Sequence, residues 1–84
     1  MKKEVFMFLR HAIENDHPVA FLNLHHGRER KIESWHWVTL VGVMFDETKD
    51  MLSATVADEG ILKNINLGFW IDSSTEGGGF IYYL

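Results

Sequence analysis

The first fifteen residues place apolar and polar side chains at the spacing of an α-helix. Apolar side chains at positions 5, 8, 9, 12 and 13 form one stripe, and the charged side chains fall mostly opposite it. Pro18 disfavours helical geometry at His17, and Asn15 or Asp16 suits the left-handed conformation that ends a helix. The pattern predicts an amphipathic helix from residue 3 to about residue 15.

The spacing then changes to that of β-strands. Residues 19–24 have the composition of a short buried strand, and residues 33–45 form the longest strand candidate. Because both faces of this long strand are apolar, we expect it to be central in the sheet and covered on both sides. A polar turn at 46–50 separates it from residues 51–57, which are predicted to return as its antiparallel partner.

The last third of the chain continues with shorter elements. A second turn at 58–60 leads into a weaker strand at 61–66, and residues 67–72 have room for a single helical turn. A loop over residues 73–79 follows. Residues 80–84 are predicted to form a final strand that runs to the last residue.

This order of elements indicates the fold class. One helix followed by about five strands, joined mainly by hairpins, predicts an α+β fold with the N-terminal helix packed on one face of an antiparallel sheet. A length of 84 residues is that of one domain, so residues 1–84 are assigned to a single unit. Hydrophobic residues make up 46% of the chain, more than one small monomer is expected to hide, which indicates a partner.

Charge and composition exclude several classes of function. The formal net charge of −4 argues against nucleic acid as a partner, because nucleic-acid-binding domains carry a basic surface. The one basic cluster, residues 28–31, is interrupted by Glu29 and is predicted to be a solvated loop. No apolar run approaches the roughly 20 residues of a membrane-spanning helix, and Arg10 and His11 disfavour a signal peptide.

The candidate chemistry lies at the ends of two predicted strands. His36 stands near the start of the long strand, and Asp58 stands at the end of the next strand. A carboxylate that holds an imidazole in one tautomer prepares it for proton transfer, and such a pair normally serves a nucleophile. Cysteine, the natural nucleophile, is absent, which also excludes disulfides and thiolate zinc sites and leaves the compartment undecided.

Each of these residues also has a plain structural explanation. His36 can be a strand histidine satisfied by a backbone carbonyl, and Asp58 can cap its own turn while Glu59 competes for the imidazole. His25 and His26 suggest a metal site that His36 and Asp58 would complete. Adjacent strand residues point to opposite faces, so a solvent-facing loop pair is favoured, and no metal or other cofactor is predicted.

Five motifs in this order resemble a known family. The segment His36-Trp37-Val38-Thr39-Leu40-Val41-Gly42 fits the pattern H-[WF]-V-x-[LIV]-x-G at every position. The others are His17-Pro18-Val19-Ala20 before it and Asp58-Glu59-Gly60, Phe69-Trp70 and Gly77-Gly78-Gly79-Phe80 after it. Together they resemble the C-terminal half of a papain-like cysteine peptidase domain of the bacterial bacteriocin-leader-peptidase kind.

The resemblance implies half of a papain-like fold, with His36 as the catalytic histidine and Asp58 as the acid that orients it. The family's cysteine and oxyanion-hole glutamine belong to the preceding half, and no residue here matches them. The chain would be a fragment or separately encoded half of a peptide hydrolase, inactive alone. In the family the histidine face abuts the cysteine helix, so Val38 and Leu40 are expected to face water and to promote a homodimer.

Two other functions stay open at this point. A non-catalytic module would keep the half-fold to bind a protein or a peptide, and unchanged binding after His36→Ala would favour it. A metal-dependent activity of the histidines would require zinc at a stoichiometric level. Whether the chain is an enzyme is therefore left undecided by the sequence, although His36 and Asp58 are its predicted site residues.

Overall fold

The computed structural model describes residues 2–17, 19–23, 29, 31, 36–73 and 78–82. The elements follow in the order α1 (Lys2–Glu14), β1 (Val19–Asn23), β2 (His36–Asp46), β3 (Met51–Asp58), β4 (Ile61–Asn66), α2 (Leu67–Ser73) and β5 (Gly78–Tyr82). The strands form one sheet in the order β4-β3-β2-β1-β5, with every neighbouring pair antiparallel. The predicted α+β fold is confirmed, with the long strand β2 at its centre.

Some of the predicted features lie outside the described residues. They are Pro18, Leu24 at the end of the first strand, His25 and His26, residues 33–35 at the start of the long strand, residues 74–77 of the last loop, and Tyr83 and Leu84.

The helix α1 packs on the sheet through one face. Leu9 and Ala12 are fully buried, and the ring of Phe6 lies 5.9 Å from that of Phe45 in β2, centroid to centroid. Phe8, which the spacing placed on the buried stripe, is 44% exposed. The buried face is centred on Leu9, because the other residues that pack on the core from α1 (Val5, Phe6, Ala12 and Ile13) all lie within about 60° of it around the helix, whereas Phe8 lies about 100° from it.

The helix ends where its sequence predicts. Asp16 adopts a φ of 57°, the left-handed conformation expected at Asn15 or Asp16. The backbone N–H of His17 donates to the carbonyl of Ala12 at 2.9 Å, which satisfies one of the last helical carbonyls. The first strand begins at Val19.

The core lies between the helices and one face of the sheet. Its buried residues are Leu9, Ala12, Val19, Phe21, Val38, Leu40, Leu52, Ala54, Val56, Ile65, Leu67 and Trp70. Val38 and Leu40 are only 6% and 2% exposed. The expectation that these two residues face water is therefore wrong, because the chain's own core covers the face on which they lie.

A β-bulge makes β2 change face. The register between β2 and β3 shifts between Leu40 and Gly42. Val38 and Leu40 point into the core before the bulge, and Val43 and Phe45 pack against the core after it. The extra residue of a bulge reverses the alternation, so beyond residue 40 the odd-numbered positions of β2, and no longer the even-numbered ones, point into the core.

The opposite face of the sheet is open to solvent within the described ranges. Trp37 is 51% exposed, and Met44 and Leu62 are each 68% exposed. The central strand is thus covered on one side and not, as expected, on both. Neither of the two described helices has the length and apolar composition of a membrane-spanning helix.

The hairpin between β3 and β4 places Asp58, one of the candidate site residues, at the end of the sheet. Glu59 and Gly60 both have positive φ values, 52° and 83°, which is typical of a two-residue type I′ turn. The register pairs Asp58 with Ile61 directly across this turn. Asp58 is therefore the last strand residue before the chain reverses.

Candidate active site

The strand register brings His36 and Asp58 to the same end of the sheet. Thr39 of β2 lies opposite Ala57 of β3, so the start of β2 lies beside the end of β3. Positions 36 and 38 point to one face because strand side chains alternate, and position 58 lies on the same, helix-covered face as Val38. Two residues that are 22 positions apart in the chain thus become neighbours at the edge of the core.

The two side chains form a short hydrogen bond. His36 Nε2 lies 2.7 Å from Asp58 Oδ1, and the side chains are 25% and 7% exposed, respectively. An ionised carboxylate can only accept, so Nε2 is the donor, and the neutral ring carries its lone pair on Nδ1. The structure joins the two predicted residues, while their catalytic role stays a prediction.

Lys63 of β4 is the third member of the site. Its Nζ lies 2.9 Å from Asp58 Oδ2, the oxygen that His36 does not contact. The hydrogen bond from His36 and then the one from Lys63 lower the pKa of Asp58, against the opposing effect of burial. The carboxylate is therefore ionised at neutral pH.

Sequence reasoning missed this role of Lys63, although a signal was present. Alternation along the predicted strand and the residue after it places positions 61, 63, 65 and 67 on one face, and Lys63 is the one charged residue among three apolar ones. A lysine on an otherwise apolar strand face requires an anionic partner, and Asp58 precedes it by five residues across a hairpin.

The buried Glu29 binds backbone groups at the outer edge of β4, beside the site. Glu29 is 6% exposed and accepts hydrogen bonds from the backbone N–H groups of Asn66 and of Lys31, the latter at 3.1 Å. Lys31 Nζ donates to the carbonyl of Asn64 at 3.1 Å, and Lys63 Nζ contacts the carbonyl of Lys31 at 3.5 Å. The prediction of a solvated loop is therefore wrong for Glu29, which is bonded to the sheet.

On the other side of His36 the site is bounded by an amide and an indole. Asn23 lies opposite His36 in the β1–β2 register, is 1% exposed and accepts from Trp70 Nε1 at 2.6 Å. Gly78 lies opposite Asn23 with a φ of 150°, and a Cβ there would approach the carbonyl oxygen of Leu22 to 2.1 Å and the ring of Trp70 to 2.9 Å. Glycine at this position allows the last strand to pass beneath the indole.

The same corner contains a group of possible metal ligands. One ligand atom each of His36, Asp58 and Glu59 lie within 4.8 Å of one another. Imidazole and carboxylate groups are ligands that zinc accepts. However, the Lys63 ammonium already neutralises Asp58 and would repel a divalent cation at that carboxylate. The donor set therefore fits a hydrogen-bonded ion pair better than a resident metal ion.

Comparisons with known proteins add no family to this description. No family model, no curated protein and no solved structure matches the chain. The similarity to papain-like peptidases therefore rests on the sequence motifs and the order of elements, and it stays a hypothesis.

Proposed function

We propose that this chain is the base-carrying half of a papain-like cysteine hydrolase. His36 is the general base and acid, and Asp58 is the residue that orients it. The observation that carries the proposal is the 2.7 Å contact between His36 Nε2 and Asp58 Oδ1 at the end of two neighbouring strands. Because the chain contains no cysteine, the thiol comes from a separate chain or segment.

The chemistry follows from the tautomer. With Nε2 donating to Asp58, His36 accepts the thiol proton at Nδ1, and the resulting thiolate attacks the carbonyl carbon of a peptide. The imidazolium then returns the proton to the departing amine. Asp58 stabilises the imidazolium, but it shares its negative charge with Lys63, so the stabilisation is weaker than that from an unshared carboxylate.

Two kinds of partner belong to this proposal. The first is the cysteine-bearing half, without which the chain does not hydrolyse its peptide substrate. The second is a copy of the chain itself. The surface that the sequence predicted for it, around Val38 and Leu40, is buried, so a homodimer requires a different face.

The experiment that tests the proposal measures thiol reactivity. The tagged chain and its His36→Gln variant each capture proteins from an extract of the source cells, and captured thiols are alkylated with iodoacetamide at about pH 6. We expect a captured chain whose cysteine reacts roughly 10-fold faster with the wild type, because a nearby imidazole ionises the thiol. His11→Gln, which changes an exposed histidine of α1, should behave like the wild type.

Two results would contradict the catalytic proposal. One is capture that brings no reactive thiol with the wild-type chain. The other is an alkylation rate that is the same for the wild type and His36→Gln, because the imidazole would then have no influence on the sulfur.

A non-catalytic binding module is the second candidate. It is favoured by the bond from Lys63 to Asp58, since a carboxylate held between two donors is also typical of a structural ion pair. In that case His36→Gln leaves partner capture unchanged, and only the stability of the chain falls.

A further inference from the structure

The open face of the sheet has the character of an interface. Exposed apolar side chains project from it: Trp37, Val41 and Met44 of β2 are 51%, 44% and 68% exposed, and Leu62 of β4 is 68% exposed. Contiguous exposed apolar patches with polar neighbours often mark protein–protein interaction sites. The face lies on the side of the sheet opposite to His36 and Asp58.

The polar positions in the middle of this face are uncharged, and the acidic Asp46 lies at its end. Thr39, Ser53, Thr55 and Asn64 point outward, and the Thr55 hydroxyl donates to Asn64 Oδ1 at 2.8 Å. No side chain is ionisable at positions 37–44 of β2 or at the outward positions paired with them in β1, β3 and β4. The chain as a whole has a net charge of −4. A two-fold interface places a patch against itself, so an uncharged patch avoids repulsion between copies.

The shape of the face also suits a second copy. Gly42 has no side chain, and a depression lies at this point, lined in part by Met44, Ser53, Thr55 and Asn64. The flexible side chain of Met44 projects at its rim. In a two-fold arrangement, Met44 of each copy can enter the depression of the other.

Pairing through the edge of β4 is a less favourable route to a dimer. The outward carbonyl of Asn64 accepts from Lys31 Nζ, and the outward N–H of Asn66 donates to Glu29. A second strand would have to displace both bonds before it could pair. Contact through the face requires no such displacement.

The size of the face sets the expected affinity. Five strands about 4.8 Å apart and about six residues long cover roughly 500 Å² in plan. Two copies would bury on the order of 1,000 Å², at the lower end of specific interfaces, so the dissociation constant should be on the order of micromolar or weaker.

We infer that the open sheet face binds a second copy of this chain, face to face, as a two-fold dimer with Met44 near its centre. The inference is independent of any catalytic role of His36, which lies on the covered face.

Sedimentation velocity over about 1 to 500 μM protein tests the inference. The wild type should shift from monomer to dimer across this range, and Met44→Glu should stay monomeric because it places two charges against each other. Met7→Glu is the matched control, since Met7 is a 55% exposed methionine of α1. It introduces the same charge away from the sheet and should dimerise like the wild type.

Spin labels give a second readout that does not depend on the stability of the Glu variants. The chain has no cysteine, so Met44→Cys and Met7→Cys each carry a single nitroxide. Dipolar broadening is expected from the label at 44 and not from the label at 7. A wild-type chain that stays monomeric, equal loss of dimer in both Glu variants, or broadening at 7 alone would overturn the inference.

Discussion

Lys63 Nζ lies 2.9 Å from Asp58 Oδ2, on the side of the carboxylate that His36 does not contact. The two donors give a bond to each oxygen of a side chain that is only 7% exposed. Without such partners, burial of a carboxylate would be strongly unfavourable. Asp58 therefore has two roles in the structure: it holds the imidazole, and it ties β3 to β4 through an ion pair.

Removal of the Lys63 ammonium should change the pKa of Asp58 and the stability of the chain. In Lys63→Met the pKa of the Asp58 carboxyl should rise from its lowered value, because one of its two hydrogen-bond donors is gone. The free energy of unfolding should fall by about 1.5–3 kcal/mol, the usual contribution of a hydrogen bond to a charged group. Carboxyl carbon-13 NMR measures the first effect, and urea denaturation at neutral pH measures the second.

The matched control for this substitution is Lys3→Met. Lys3 pairs with Glu47 at 3.5 Å, and the two side chains are 64% and 73% exposed. Exposed pairs of this kind contribute little, so the control should retain the stability of the wild type. Equal losses in the two variants would show that Asp58 gains nothing from Lys63.

The stability of the chain should depend on pH through Asp58. The pKa of this group is lower in the folded chain, first because of His36 and then because of Lys63. Its contribution is therefore complete above the unfolded pKa of about 3.9 and is lost as the pH falls from there through the folded value.

Urea denaturation of Asp58→Asn checks this direction. The variant should be less stable than the wild type at about pH 6, and the difference should shrink as the pH falls below about 4. Asp16→Asn is the control, because Asp16 is exposed and asparagine tolerates its left-handed conformation. A difference that stays constant over the whole range would contradict the assignment.

Lys63 should also keep zinc away from the His36, Asp58 and Glu59 cluster. The wild type should show no zinc binding by isothermal titration calorimetry, because the ammonium already occupies the carboxylate. Lys63→Met should acquire zinc affinity, and adding Glu59→Gln should abolish it again. Tight binding by the wild type would mean that the cation displaces Lys63, against this prediction.

The Asn23 amide that accepts from the Trp70 indole should be important for stability. Asn23→Leu removes the acceptor of the Trp70 Nε1–H, a buried bond of 2.6 Å, and should lower the free energy of unfolding by about 1–3 kcal/mol. Tryptophan fluorescence during urea denaturation measures the loss. The exposed Asn64→Ala should show a smaller loss at low protein concentration, and the prediction fails if the order of the two is reversed.

Local features of this protein could be read from its sequence. The helix was expected from residue 3 to about residue 15 and spans Lys2–Glu14, and the turn at Glu59 and Gly60 lies where its residues predict. These features depend on the spacing of apolar side chains and on backbone preferences, which act between residues close in the chain. The proximity of His36 and Asp58 was expected from the resemblance and from their positions at strand ends.

Tertiary structure alone decided which surfaces are buried. The bulge between Leu40 and Gly42 reverses the faces of β2, and the core buries Val38 and Leu40, which were expected to be exposed. The tertiary structure also selected Lys63 as the partner of Asp58 and buried Glu29 against β4. These outcomes depend on register and on contacts between distant residues, and the alternation of side chains along one strand contains no information about what packs against either face.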